Sequence, residues 1–530
     1  MSCLAIVLAL AACSGGGGSD GGVAGSALMA DPALVADAAG SFGDKSVESD
    51  MAMVEEAAVR WNRGDSWARR GDDSSSNTTP APSPAPNPAP SSEPGPEPAN
   101  LGDSSVPPLP APSGGASTPE QDPSATAVVD PGYFKMVKGW ANTQGGRGGR
   151  IVKVTSLGNS GDGTLRAALA EQGPRIIVFE VSGTIDLNGQ QLQIREPHVT
   201  VAGQTAPSPG ITLVRGGIAT YTHDVIIQHL RVRPGTEAGG SVDALETQTG
   251  SYNVIVDHCS FSWGTDETLS AAGAPFNGST LEQWRSRASN RITFSNNIVA
   301  EALSSGYGSL IQDNVTQILL YGNLWAHNKE RTPNFGGATQ GAVINNLIYN
   351  PGGKFLDYTF LNSKWDAEGK GMRVTGKLTA IGNVGRAGPS TTAESFFRTV
   401  SNGDVEYYGS DNVATRRNGT AYPETSMSTY LTDPQGQILM QSSPPVMPLG
   451  VLPMSSSQVV QHVLKYVGAR PWDRDSHDER ILADVRNGTG RMISSQAAVG
   501  GYPQSAANTR SFNPEHWDLD TMIPVNAQAL

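Results

Sequence analysis

The sequence predicts an all-β protein, a stacked parallel β-helix with helical caps, preceded by a tail that cannot form a core. Three observations predict it. Short β-rich runs broken by Gly and Asn recur between residues 198 and 385. Aligned on their apolar alternation, these runs place Leu230, Cys259, Asn297, Asn323, Asn346 and Asn383 in one column, at intervals of 29, 38, 26, 23 and 37 residues. That spacing is a coil period in the twenties with longer loops let into it, the mark of a repeat array. Finally, the joints lack the tight-turn signals of hairpins, and the runs lack helical periodicity.

Each unit is too small to bury its own apolar face, so stacking must do so. Parallel coils rise by about 4.8 Å, which brings equivalent side chains into register. A column of Asn then hydrogen-bonds from coil to coil as a ladder. Open coil ends are unpaired edges and need covering. Thr164 to Gln172 has helical spacing and suits the N-terminal end; Gln458 to Val467 and Asp475 to Val485 read as helices of the C-terminal closure, with Gly488 ending the second.

Upstream, Leu4 to Ala12 is an apolar stretch of signal length ending Leu10-Ala11-Ala12-Cys13, followed by Ser and Gly. Residues 1–13 resemble a bacterial lipoprotein signal, which implies export, acylation of Cys13 and an outer-membrane anchor; an ordinary cleaved signal with secretion is the other reading. Residues 14–125 are a Pro-, Ser- and Gly-rich linker whose Pro repeats favour extended polyproline II. Residues 126–530 form the β-helical domain.

Charge and cysteine content exclude several functions. The net charge of −13 is concentrated in the tail: residues 1–125 hold 16 Asp and Glu against 5 Lys and Arg, and the remainder holds 34 against 32. A nearly neutral domain gives no sign of a nucleic-acid partner. Cys3, Cys13 and Cys259 are the only cysteines, so neither a disulfide framework nor a thiolate zinc site can be built in the domain. No apolar run reaches the ~20 residues a membrane-spanning helix needs.

The chemistry-bearing residues lie in four stretches: 240–246, 256–267, 306–309 and 327–335. Stacking in register brings Asp243, Asp266 and Arg331 toward one flank. Carboxylates without His or Cys partners suit a hard cation such as Ca²⁺, and an Arg beside it suits an acidic substrate. Other residues in these coils read as structural. Asp257 and His258 support a turn, His229 stacks on His258 one coil away, and Arg231 and Arg233 face outward as surface residues.

Several motifs occur in order: Gly203-Gln-Thr-Ala-Pro207, Val232-Arg-Pro-Gly235, Asp243-Ala-Leu245, Asp257-His-Cys-Ser260, Ser262-Trp-Gly-Thr-Asp-Glu267 and Arg331-Thr-Pro-Asn-Phe335, with residues 483–490 near the C-terminus. Together they resemble the pectate lyase superfamily, polysaccharide lyase family 1. The resemblance implies a right-handed parallel β-helix, Ca²⁺ dependence and cleavage of polygalacturonate by β-elimination. It makes Asp243 and Asp266 calcium ligands, with Glu267 a third, and Arg331 the catalytic base. Ser241, Ser270 and Gly336 stand where the family carries further carboxylates and a second arginine, and no Lys or His precedes the Gly306-Tyr-Gly turn. Lys329 is therefore the candidate substrate-binding cation. A monomer acting on an acidic polysaccharide is expected. The alternatives are a lyase on methyl-esterified pectin or another uronate polymer, and a non-catalytic glycan-binding or adhesin module.

Overall fold

The computed structural model describes residues 130–428 and 436–530. The signal, Cys13 and the linker to residue 125 lie outside the described residues. Three long sheets wrap the domain. Sheet 1 has eleven parallel strands, from Arg150–Val154 to Ile438–Met440. Sheet 2 runs from Val181–Asp186 to Val413–Thr415, and sheet 3 has nine strands from Leu192–Ile194 to Thr425–Met427. Successive coils contribute to the sheets in turn, so neighbours in a sheet are one coil apart in sequence. This is a parallel β-helix, and crossovers between parallel strands take the right-handed sense.

Register follows side-chain chemistry. Val199, Val225, Val254, Ile292 and Ile318 are successive partners in sheet 1, and all are buried in the main core. The turn from sheet 1 to sheet 2 needs one left-handed residue per coil. His229, His258, Asn296, Gly322, Asn345, Gly382 and Asp411 fill it, with φ between 50° and 65°, all types that tolerate this region.

The next residue forms the expected Asn column. The side-chain oxygens of Asn323, Asn346 and Asn383 accept from the backbone N–H of Asn297, Asn323 and Asn346 at 2.9–3.0 Å. Their amide nitrogens donate to Phe294, Leu320 and Val343 carbonyls. Asn412 extends the ladder by one coil. Cys259, one step before Asn297, donates its N–H to the Asn297 oxygen. The His pair is structural as expected: the His229 and His258 rings stack 5.1 Å apart, fully buried. Asp257 binds His258, Ser295 and Asn296.

The described residues include five α-helices: α1 (Leu165–Ala170), α2 (Leu281–Arg287), α3 (Asn362–Ala367), α4 (Ser456–Tyr466) and α5 (Ser476–Asn487). α1, capped by Thr164, buries Leu165, Ala168 and Leu169 against the first coils. α4 and α5 do not close the far end. Val459, Val463, Ile481, Leu482 and Val485 pack on Ile298, Leu324 and Leu347, the outward face of sheet 2. Gly488 ends α5 in the left-handed region as expected.

This placement corrects the reading of Arg231 and Arg233 as surface residues. Both are fully buried, because the acidic start of α5 covers them. Arg233 donates to both Asp475 oxygens at 2.6 and 3.0 Å and to Asp478 at 2.9 Å. The strands' outward alternation was correct, but that face is not solvent. Beyond α5 the chain returns to the first coils, where Asn508–Thr509 pairs antiparallel with Val181–Ser182. Trp517, Met522 and Ala529 then cover Ile176, Val178 and Ala202.

Candidate active site

The carboxylates sit at the corner where sheet 2 gives way to sheet 3. Asp243 precedes the sheet 3 strand Leu245–Thr247, and Asp266-Glu267 precedes Leu269–Ala271 one coil later. The loops are tied in register: Asp266 N–H donates to the Val242 carbonyl at 3.3 Å, and Glu267 N–H donates to Asp243 Oδ1 at 3.1 Å. One carboxylate oxygen from each of Asp243, Asp266 and Glu267 lies within 4.8 Å of the other two. Three like charges held this close, one of them buried, repel in a partly desolvated corner. The arrangement is an all-oxygen donor set and fits a hard divalent cation.

The next coils bring in the base candidate. Glu267, Tyr307 and Glu330 are parallel-bridge partners on three successive coils. Arg331 lies beside Glu330, yet its side chain reaches back two coils. Its Cζ lies 3.8 Å from the centre of the Tyr307 ring, and its guanidinium forms an ion pair with Glu267. Arg331 therefore adjoins the carboxylate group with its side chain only 12% exposed. Its backbone takes positive φ, 58°, which turns the chain away before the Asn334–Gly336 strand.

Lys329 packs on Gly306, next to Tyr307 in the chain. It is exposed, its N–H donates to Gly306 O at 2.9 Å, and Gly306 is a close neighbour of its Cβ. Residues 327–331 are not an extended strand, since His327 and Arg331 both have positive φ. Alternation does not therefore put Lys329 and Arg331 on one face.

The structure adds residues that sequence reasoning missed. Behind Arg331, Lys354 lies 3.3 Å from Glu330 and 3.9 Å from Asp357, all three nearly inaccessible to solvent. Asn334 donates to Asp357. Burial pushes the Asp357 carboxyl up to about 6, against the opposing pull of Lys354. Tyr307 lies in the Gly306-Tyr-Gly stretch, to which the sequence alone assigns no role. Lys354 and Asp357 follow Pro351-Gly-Gly353 and carry no motif; only coil register marks them.

Fold and site together define a β-helical protein with an acidic corner against a partly buried arginine. No family model matches the sequence. A relative named "Probable pectate lyase C" from Aspergillus terreus is 35% identical over 369 residues, covering 68% of this chain and 79% of the relative. Its namesake from Aspergillus fumigatus is 34% identical over 389 residues, covering 71% and 82%. The chain belongs to the pectate lyase family. Among solved structures, a pectate lyase bound to hexasaccharide matches 64% of this chain and 98% of its own at 15% identity and a TM-score of 0.44. The cedar pollen allergen jun a 1 matches 63% and 92% at 16% identity and a TM-score of 0.41.

Proposed function

We propose that the protein is a polysaccharide lyase that cleaves pectate by β-elimination. The carrying observation is the convergence of Asp243, Asp266 and Glu267 from adjacent coils beside Arg331. These three carboxylates would hold Ca²⁺, and Arg331 would take the C5 proton of a uronate residue. When bound, Ca²⁺ supplies Lewis acidity to the substrate carboxylate, acidifying the neighbouring C–H and stabilising the developing enolate.

The chain's own residues do the rest. Tyr307 supports the guanidinium from beneath, and Arg331's bond to Glu267 aims it at the corner. A neighbouring carboxylate favours the charged guanidinium, whereas a base must be uncharged. Glu267 belongs to both the arginine pair and the cation set, so cation occupancy and a free guanidine are linked. Lys329, exposed on the Arg331 coil two coils beyond Glu267, is proposed to meet a uronate carboxylate further along the polymer. The Leu-Ala-Ala-Cys13 run supports export and acylation, with the Pro-rich linker holding the domain clear of the membrane. Among the described residues, no helix is long and apolar enough to cross a membrane.

The test is the ultraviolet absorbance of newly formed unsaturated uronates, on polygalacturonate and on methylated pectin, with and without Ca²⁺. Calcium-dependent product on polygalacturonate is expected. Full activity after exhaustive EDTA treatment would overturn the cation assignment and favour methylated pectin. No product on any uronate polymer would favour a glycan-binding module.

A further inference from the structure

A second cluster of metal-ligating side chains sits at another corner, where sheet 3 gives way to sheet 1. His198 precedes the strand Val199–Ala202, and His223-Asp224 begin the strand of the next coil. One donor atom from each of His198, His223 and Asp224 lies within 4.8 Å of the other two. The His198 and His223 rings meet edge to face with centroids 5.5 Å apart.

His223 is built into its place. Its Nδ1 lies 2.7 Å from Asp224 Oδ2, so the tautomer that donates there leaves its lone pair on Nε2. The Tyr252 ring of the following coil stacks on it at 4.5 Å and 8°. The Arg291 guanidinium stands over the Tyr252 ring, 5.0 Å from its centre. Asn253 donates to the second Asp224 oxygen at 3.3 Å. An imidazole whose far nitrogen is held by a carboxylate, with that carboxylate itself hydrogen-bonded, has the outer-shell arrangement of a metal-ligating histidine.

We propose that His198 and His223, with Asp224 as third ligand or outer-shell partner, bind Zn²⁺ and staple two adjacent coils together. Two imidazoles and a carboxylate suit a borderline cation and not Ca²⁺. A tetrahedral set with Zn–N bonds of about 2.0–2.1 Å brings donors to roughly 3.4 Å of each other. Rotation of the exposed His198 ring supplies that contraction. Water completes the coordination on the open side. This corner is distinct from the carboxylate corner, so the two cations do not compete.

The experiment uses the full chain, stripped with EDTA, and follows its melting temperature as micromolar Zn²⁺ or Mg²⁺ is added. Zn²⁺ is expected to raise the melting temperature by a few degrees and Mg²⁺ to leave it unchanged, since a ligand that binds only the folded state stabilises it. His198→Ala and His223→Ala should each abolish the shift. Asp224→Asn should weaken zinc affinity about 10- to 100-fold. Asp266→Asn, at the other corner, should retain the shift. Three results would overturn the proposal: no zinc-dependent shift, a shift retained in both His variants, or one that needs millimolar zinc.

Discussion

At the residue scale, Arg331 bears most of the enzymatic reading. Arg331→Lys keeps the charge but changes reach, fork geometry and basicity. If Arg331 is the base, kcat should fall by at least about 10²-fold with a smaller change in KM. A raised KM with kcat preserved would make it a substrate clamp instead. Asp243→Asn and Asp266→Asn should each raise the Ca²⁺ concentration needed for half-maximal activity without shifting the metal-free melting curve downward. Lys354 gives a separate prediction. It is the ion-pair partner of both Glu330 and Asp357 in the buried layer behind Arg331. Lys354→Met should therefore destabilise the fold by about 3–5 kcal/mol, the usual cost of removing one partner from a buried ion pair. Denaturant unfolding reads it; an unchanged midpoint would mean the layer relaxes by admitting water. Asp243, Asp266 and Arg331 were legible because each sits in an ordered motif. Lys354 and Asp357 were not, since a buried ion pair one coil away leaves no local pattern.

The elements show what periodicity captures and what it misses. The Asn ladder was readable because each coil must satisfy the same turn amide, so the same residue type returns. Asn346→Ala removes the acceptor of the Asn323 N–H and the donor to the Leu320 carbonyl. Each buried group left unsatisfied costs about 1–3 kcal/mol, and a clear drop in melting temperature is expected. The helices α4 and α5 were readable as helices but not in their placement, because amphipathicity gives a wet side and a dry side without naming the partner. Their docking also carries a pH dependence. Burial pushes the Asp475 carboxyl up, but Arg233 outweighs it and holds Asp475 well below its ordinary value. Burial and the Asp475 charge push its neighbour Asp478 up. The depressed Asp475 contributes stability above its unfolded pKa of about 3.9, and this is lost as pH falls further. Amide protection across residues 456–487, taken relative to the intrinsic exchange rate at each pH, should therefore fall below about pH 4 before that of sheet 1. Simultaneous exposure of both would show that the helix dock is no weaker than the coils.

On the scale of the whole molecule, the β-helix grows by addition: each coil rests on the one before it, and such arrays fold by local propagation. The C-terminal segment departs from that order. Asn508 and Thr509 pair with Ser182 and Val181, and the Asn508 side chain reaches Ser208, 300 residues earlier in the chain. During synthesis at roughly 5–20 residues per second, the first coils emerge some 15–60 s before the strand that covers their outer edge. Throughout that interval a nascent chain carries a bare sheet edge, the kind of surface that recruits other strands. The pairing of Asn508 and Thr509 with Ser182 and Val181 is thus what covers that edge of sheet 2. A chain terminated prematurely after residue 500 would carry every proposed catalytic side chain and still display that sticky edge for its whole lifetime.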